Sequence, residues 1–458
     1  MALSQTYADF ATGNDYKGAS FVDGAYTSAT KTLVKAGAFA ATKVNHWLYL
    51  ESNDGGSIVA GYYKVATVPD ANTVTLDTDA GAGVDDDAAK CTQAAGTTAL
   101  PWRSVQGALD LITRDATNGD QVNVKAGTAE VLTAALTLAT YGSPSVAAPL
   151  VLRGYTSAAN DGGVGVLDGN NGNFTIIAGR RADIALIDLR LTNVGGASVL
   201  ELGARNIVYN CQVDTTAVGA PTAISSNAGC VVAHCYLHDV PRGIQTGYGG
   251  AMYAYNYIVP SGTTQYGILN NGTSGDVYIG NVILCSHTGA YGYFANNANT
   301  GHTFLNNVFY NTTAGTVPGI FLNDNAAGVG QTVLNNIIVG WSGAGGIGIK
   351  HDGRPGVVGY NAFYNNATAE TYALEPLADL GGDVTLAADP FTNAATGDFS
   401  LTAAAKLALA DKGFPGQYLG AHANTDSHLN IGPIQLAAVA ASGGGFPKIA
   451  SLLGRTRM

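Results

Sequence analysis

The sequence predicts an all-β protein built as a parallel β-helix, and three observations support this prediction. One short pattern, a strand followed by a polar residue and a second strand, recurs eight times in the middle of the chain. The pattern repeats at intervals close to one coil of such a helix. Glycine contributes 61 of 458 residues and charged residues only 12%, a composition that favours short strands and tight turns over helices.

The repeated segments place one polar marker between two strands, as in IVYNCQV and YIGNVIL. Successive markers are 22, 24, 22, 25, 26, 29 and 25 residues apart. Shorter strands such as GILNN and GIFLND lie between them, so each coil has at least two strands that pair with the coils above and below at about 4.8 Å. The markers are Asp188, Asn210, His234, Asn256, Asn281, Asn307, Asn336 and Asn361.

Asparagine at most of the markers predicts a structural ladder. Asn tolerates left-handed backbone angles at a sharp bend, and its amide can bond the equivalent amide one coil away. The predicted ladder comprises Asn210, Asn256, Asn281, Asn307, Asn336 and Asn361.

Apolar positions around each marker are expected to point into the bore of the helix, meaning its interior. These positions lie two places before and three places after the marker. Cys211 and Cys235, one place after their markers, are then expected to stack as core thiols. The five cysteines include no CxxC pair, which argues against a disulfide framework or a zinc site.

An amphipathic helix is predicted at residues 102–113, where Val105, Ala108, Leu109 and Ile112 have helical spacing suited to plugging the bore. The strand GDQVNVKAGT follows, and ADPFTNAATGDFSL and NIGPIQ come after the last marked coil. This order resembles the pectate-lyase-like superfamily of right-handed, single-stranded parallel β-helices over roughly residues 100 to 436. That superfamily holds lyases, hydrolases, epimerases and non-enzymatic viral spikes, so the resemblance implies a fold and leaves the activity open.

Three domains are expected. Residues 1–95 read as a small antiparallel β module for attachment or capping, and they resemble modules at the front of phage structural proteins. Residues 96–436 form the β-helix with its plug helix and closing strands. Residues 437–458 are a Gly-rich tail with a short basic end, either mobile or a docking peptide for a neighbouring subunit.

Charge and hydropathy limit the partners. The net charge is −11 and the 22 basic residues form no stripe, so we expect no nucleic acid partner. No apolar run approaches the length that spans a bilayer, and no signal peptide opens the sequence. We therefore expect synthesis in the cytoplasm and no membrane partner. The resemblance to phage structural proteins implies a final location in the virion.

The catalytic sets of the superfamily are not evident in the sequence. Its lyases combine acidic calcium ligands with a basic residue, and its polygalacturonase-type members carry NTD, DD, GHG and RIK elements; here only residues 424–426 read NTD. We therefore expect no metal and no cofactor. One acid-base candidate remains, because counting along GIFLND and the strand that begins at Ile347 places Asp324 beside His351, with Asp352 adjacent.

Aromatic residues cluster more densely than a core requires. The predicted binding residues are Tyr248, Tyr253, Tyr266, Tyr291 and Tyr293. Such rings could stack on sugars or pack against a symmetry-related copy.

The resemblance to phage proteins implies a virion-associated structural β-helix: a tail spike, head spike or surface fibre. It implies a homotrimer that binds a neighbouring virion protein or a host-surface glycan. The alternative is a polysaccharide lyase or glycoside hydrolase on the same fold, and a bacterial adhesin is a third reading.

Overall fold

The computed structural model divides the chain into two compact units. The first comprises residues 1–168 and 177–190, and the second comprises residues 169–176 and 191–458. The residues described are 3–11, 15–17, 20–51, 58–81, 83, 86–91, 101–215, 222–271, 275–296, 301–323, 330–353, 356–373, 376, 378–409 and 412–413.

The first unit contains a closed antiparallel barrel, which confirms the predicted N-terminal β module. Apolar side chains alternate along its strands and meet inside, where Leu33, Leu48 and Val65 are fully buried. In spatial order the barrel strands are Phe21–Thr27, Thr32–Val34, Thr73–Leu76, Gly61–Asp70, Trp47–Glu51 and Asp86–Cys91.

The first strand of the chain differs from the predicted module, because Ser4–Ala8 pairs in parallel with Asp120–Lys125 instead of joining the barrel. Leu150–Tyr155 and Ile184–Ile187 continue this parallel sheet. Its alternating pattern buries Thr6 and Ala8. The remaining strands before residue 195 are Glu130–Val131, Gly165–Gly172 and Leu189–Val194.

The plug helix is Val105–Leu111, shorter than predicted at both ends. Ser104 caps it, accepting a hydrogen bond from Gly107 N at 2.8 Å. The buried carboxylate of Asp15 accepts from the backbone N–H groups of residues 103 and 104 and holds them outside the helix. At the other end, Ile112 has extended backbone angles.

The second unit consists of stacked coils whose strands form three parallel sheets, which confirms the predicted parallel β-helix. The first sheet contains Ile207–Tyr209, Val231–Ala233, Met252–Ala254, Val277–Ile279, Thr303–Leu305, Thr332–Leu334, Val357–Gly359 and Ala378–Asp379. The second contains Gln212–Asp214, Tyr236–Val240, Tyr257–Pro260, Val282–Cys285, Val308–Asn311, Ile337–Val339, Ala362–Tyr364 and Val384–Thr385. The third contains Ser198–Glu201, Thr222–Ser226, Arg242–Thr246, Tyr266–Asn270, Tyr291–Ala295, Ile320–Leu322, Ile347–His351 and Thr368–Tyr372.

In the residues described, seven of the eight turns from the first sheet to the second use one left-handed residue followed by one buried residue; the last turn instead has two left-handed glycines, Gly381 and Gly382, before the exposed Asp383. The left-handed position has φ between 51° and 63° and is occupied by Asn210, His234, Tyr255, Gly280, Asn306, Asn335 and Tyr360. The buried position that follows is occupied by Cys211, Cys235, Asn256, Asn281, Asn307, Asn336 and Asn361. The predicted marker column therefore mixes two positions, because its early members precede the later ones by one residue.

This shift of one residue changes which side chains face the bore, since neighbouring positions of a strand face opposite ways. In the later coils the inward position of the first sheet holds Tyr253, Tyr278 and Phe304, all fully buried. The predicted inward position three places after the marker is wrong for Tyr310 and Tyr364. Both lie on the outer face of the second sheet.

A terminal cover, which we define as residues 386–409, packs on that outer face. It comprises a hairpin of Phe391–Asn393 and Asp398–Leu401 with a 3-10 turn Ala394–Thr396 between them, then the helix Ala403–Leu409. Phe391, Phe399 and Leu409 form one buried cluster with the outward-facing Val308 and Ile337 of the second sheet. The predicted closing strand NIGPIQ and the tail at residues 437–458 lie outside the described residues.

Candidate functional site

Five of the predicted ladder asparagines form a continuous amide ladder in the wall of the second unit. The Nδ2 of each donates to the Oδ1 of the next, at 2.9 Å for the first three steps and 3.1 Å for the last. In the case of Asn281, Nδ2 also donates to the backbone oxygen of Tyr253, and Oδ1 also accepts from the backbone N of Asn256. These amides are therefore saturated inside the wall. Their role is structural, since no hydrogen-bonding group is left for a ligand.

Asn210 does not belong to the ladder column, because it occupies the left-handed position one residue earlier. Cys211 and Cys235 occupy the ladder column instead and are buried. The Sγ of Cys235 lies 3.6 Å from the backbone oxygen of Val208, the equivalent of the acceptor used by the ladder amides. A thiol thus replaces the amide in these coils with a weaker donor.

The predicted acid-base site is not assembled by the residues described. Asp324 lies outside them, and the strand register pairs His351 with Leu322. Ile320 pairs with Ile349 instead of Ile347, so the predicted register is wrong by two residues, about 6.6 Å along the strand. This error arose because Ile347 and Ile349 both follow a glycine, and the sequence does not show which begins the pairing.

His351 and Asp352 also face opposite ways. The His351 ring is 1% exposed in the bore wall, and its Nδ1 accepts from Gly353 N at 2.9 Å. The carboxylate of Asp352 points outward, where its Oδ1 lies 3.0 Å from Lys350 Nζ. The two side chains form no joint acid-base pair.

Two of the predicted binding tyrosines belong to the core. Tyr253 and Tyr293 are fully buried. Tyr253 stacks on Tyr278 with ring centroids 5.2 Å apart, and Tyr278 stacks on Phe304 at 4.7 Å. Tyr293 meets Phe304 edge to face at 4.8 Å. Glycan binding by Tyr253 or Tyr293 is therefore excluded, because the bore is packed around their rings.

The other predicted tyrosines lie on the surface. Tyr248 is 54% exposed in the bend that follows the strand Arg242–Thr246 of the third sheet. Tyr266 and Tyr291 lie on the outer face of the third sheet in adjacent coils, with ring centroids 5.7 Å apart and planes within 5°. Beside them Phe294 stacks on Phe321 at 5.3 Å. Together with Leu269 these four residues form what we call the aromatic strip.

Cations close both ends of the aromatic strip. The guanidinium of Arg242 lies 5.9 Å from the centre of the Tyr266 ring, and Lys350 Nζ lies 4.9 Å from the centre of the Phe321 ring. One face of Tyr291 and one face of Phe294 are therefore occupied by a stacked ring, and Tyr266 and Phe321 each have both a stacked ring and a nearby cation. These stacked faces are not open to solvent.

A second polar group, which the sequence pattern did not bring together, consists of Gln212, Asp214, His238 and Asp239. His238 Nδ1 lies 2.7 Å from Asp239 Oδ2, and His238 Nε2 lies 2.8 Å from Gln212 Nε2 and 3.6 Å from Asp214 Oδ2. The strands align Asp214 with His238 in neighbouring coils, and the irregular pairing after His238 turns Asp239 outward. Counting from the paired positions Leu237 and Val213 would have found this contact.

Acidic groups end the bore at the last coil. Glu370 follows Ile349 in the inward column of the third sheet, and Asp383 accepts from Asn361 N at 2.6 Å at the end of the ladder. Burial raises the pKa of Glu370 to about 7, and the charges of Asp383 and Asp379 add to the increase. Asp383 is exposed as a residue, but partial burial of its carboxyl group raises its pKa as well. A pKa near 7 leaves Glu370 partly protonated at neutral pH, a feature the strand pattern alone does not reveal.

The residues described hold no group of three or more His, Cys, Asp or Glu side chains placed to bind a metal ion. None of the helices in the described ranges is long and apolar enough to cross a membrane.

No family model matches the chain, and no curated protein matches it. Among solved structures the chain is similar to a pectate lyase, Pel9A, with 13% identity over 75% of this chain and 93% of that chain and a TM-score of 0.44.

Two further structures are similar at 12% identity. One is the catalytic unit of a thermostable GH87 alpha-1,3-glucanase from Streptomyces thermodiastaticus strain HF3-3, covering 81% of this chain and 89% of that chain with a TM-score of 0.36. The other is ORF18 of Geobacillus virus E2, covering 61% of this chain and 56% of that chain with a TM-score of 0.33. At these values the likeness carries no conclusion about family or activity.

Proposed function

We propose that the protein is a rigid structural β-helix on the surface of a tailed phage, such as a tail spike, head spike or surface fibre. It assembles as a homotrimer and binds a neighbouring virion protein or a host-surface glycan. The observation that carries this proposal is the unbroken amide ladder from Asn256 to Asn361. Its side chains hydrogen-bond from one coil to the next and so stiffen the wall.

The mechanical argument starts from one coil. Each coil is held to the next by backbone hydrogen bonds in three sheets, and an amide-to-amide bond joins each step from Asn256 to Asn361. The buried stack of Tyr253, Tyr278 and Phe304 adds direct contact between coils. Bending such a stack breaks buried hydrogen bonds that have no alternative partner, at about 1–3 kcal/mol each. Resistance to bending is the property a spike or fibre requires.

The virion location is supported by the sequence alone. Residues 1–95 resemble front modules of phage structural proteins, and the barrel within them has its own buried core. A module with its own core can attach one end of a fibre without altering the body.

Mass spectrometry of purified virions tests this proposal. We expect the protein to co-purify with particles through a density gradient at a fixed ratio to the major structural proteins. Recovery only in the soluble fraction of the lysate would contradict it. Genes for capsid, portal or tail proteins next to this one would support it.

The alternative is a polysaccharide-degrading enzyme, and one observation favours it. Glycoside hydrolysis uses two carboxyl groups, one of them protonated at working pH. Glu370, with its pKa raised to about 7, would be the protonated group; Asp383 hydrogen-bonds to it, closer than the roughly 5–9.5 Å between the two groups of a hydrolase, and helps to raise that pKa. New reducing ends or unsaturated products from host polysaccharide, lost in Glu370→Gln and Asp383→Asn, would establish the enzyme. Unchanged polysaccharide would remove this alternative.

A further inference from the structure

We propose that copies of this chain meet through the outer face of the third sheet, with the aromatic strip at the centre of the contact. The inference deepens the proposed function and rests on it, since it assigns the surface through which the homotrimer forms. Its starting point is the run of large apolar side chains on an outward face: Tyr266, Leu269, Tyr291, Phe294 and Phe321.

The geometry of the rings favours a protein partner over a sugar. A sugar stacks on the open face of an aromatic ring, whereas the rings of the strip stack on one another along the coils. Arg242 and Lys350 occupy the faces at the two ends. The exposed edges form a low, ridged surface, and edge contacts with further aromatic rings are a favourable way to pack such a surface.

The composition of the face matches the anatomy of a protein interface. Its centre is aromatic and carries an adjacent arginine, both of which are enriched in interface cores. Partly exposed polar residues lie in the same outward column beyond the strip: Gln245 in an earlier coil and Thr371 in a later one. An apolar centre with a polar rim is therefore built into one sheet face.

The size of the face suits a contact between copies. The third sheet has eight strands within the described residues. At about 4.8 Å between strands and about 3.3 Å per residue, it measures about 34 by 16 Å, a flat footprint of roughly 550 Å². A stable interface buries about 800 Å² of accessible surface per partner, and side chains make the accessible surface larger than the flat footprint.

The outer face of the second sheet is a comparable apolar face in the same chain. On the second sheet, outward-facing Val308 and Ile337 are at most 1% exposed because the terminal cover lies over them. On the third sheet, outward-facing Tyr291, Phe294 and Phe321 remain partly exposed. A second copy would provide there the apolar surface that the terminal cover provides on the second sheet.

Sedimentation velocity across a range of concentrations tests the inference with matched variants. Tyr291→Glu should raise the concentration of half-assembly at least tenfold, because it places a charge at the centre of the contact. Tyr248→Glu makes the same change at an exposed turn off the strip and should leave assembly unchanged. Circular dichroism of both variants shows whether the fold is retained.

Cross-linking provides a second measurement that does not depend on weakening the protein. The five native cysteines are buried, so a bismaleimide should react mainly with an introduced cysteine. Tyr291→Cys should give covalently linked copies of the full chain, and Tyr248→Cys should give none. A wild-type chain that stays monomeric, or an oligomer in which neither Tyr291 variant shows an effect, would overturn the inference. A monomeric wild-type chain would also remove the homotrimer from the proposed function, whereas an oligomer without a Tyr291 effect would leave it intact. Virion mass spectrometry decides the virion location separately.

Discussion

The outer faces of the second and third sheets have similar apolar side chains but different surroundings. The second sheet is covered by residues 386–409, and Phe391 and Phe399 pack on Tyr310 with ring centroids 5.9 Å away in both cases. The rings of the third sheet contact mainly one another. The terminal cover thus packs on the second sheet and not on the aromatic strip of the third. Aromatic composition alone therefore does not decide whether a sheet face is available for binding.

The largest effect is expected from the wall that both faces share. Asn307→Ala removes the acceptor of Asn281 Nδ2 and the donor to Asn336 Oδ1, leaving buried groups unsatisfied. We expect the free energy of unfolding to fall by about 4 kcal/mol, measured by urea denaturation. Asn306→Gly, one residue earlier in the left-handed position, is the control and should cost less than about 1 kcal/mol. Equal effects of the two variants would show that the ladder is not a stabilising element.

The next largest effect is expected in the terminal cover. Phe399→Ala opens the cluster on the second sheet and should lower the free energy of unfolding by about 3 kcal/mol. The loss should be the same at every protein concentration, because the contact is within one chain. A loss that grows on dilution would mean that the cover packs against another copy.

The third sheet should behave in the opposite way. Phe294→Ala removes a partly exposed ring from the aromatic strip, so unfolding of the monomer should change by only about 1 kcal/mol. The midpoint of thermal unfolding should nevertheless become less dependent on protein concentration, because assembly stabilises the folded chain by mass action. The same concentration dependence in wild type and variant would remove the distinction between the two faces.

An effect that depends on pH is expected at the last coil. The pKa of Glu370 is about 7 in the folded chain against an ordinary 4.5. Because it is raised, its contribution to stability is fully present below pH 4.5 and is lost as pH rises to about 7. Glu370→Gln should therefore match wild type at pH 4 and exceed it by about 1–2 kcal/mol at pH 8, after allowance for solvent screening. A difference that does not vary with pH would contradict the burial of this carboxyl group.

Much of the fold could be predicted from the sequence because each coil repeats the same physical problem. Parallel strands must stack, and the buried residue after each left-handed turn residue must hydrogen-bond its counterpart one coil away, so Asn recurs at nearly regular spacing. The register within a coil was harder to predict. In YNY (residues 255–257) and NNV (residues 306–308) the marker asparagine follows the left-handed residue. In YNC (residues 209–211) the asparagine is itself the left-handed residue, and the sequence does not show this difference.

The candidate site was predicted less well than the fold because its residues depend on that register. A shift of one residue sends Tyr253 into the bore, and a shift of two separates His351 from its predicted partner position. The aromatic strip was found in part, since Tyr266 and Tyr291 were both named. The position of the terminal cover was not predictable, because nothing in residues 386–409 indicates which sheet they pack against.

Hydroxyl-radical footprinting, read by mass spectrometry at low and high protein concentration, tests the central comparison most directly. Phe391 and Phe399, in the covered face, should be protected at both concentrations. Tyr266 and Tyr291 should be labelled in dilute protein and protected in concentrated protein. Labelling of Tyr291 that is equal at both concentrations, in protein shown by sedimentation to assemble, would contradict the account.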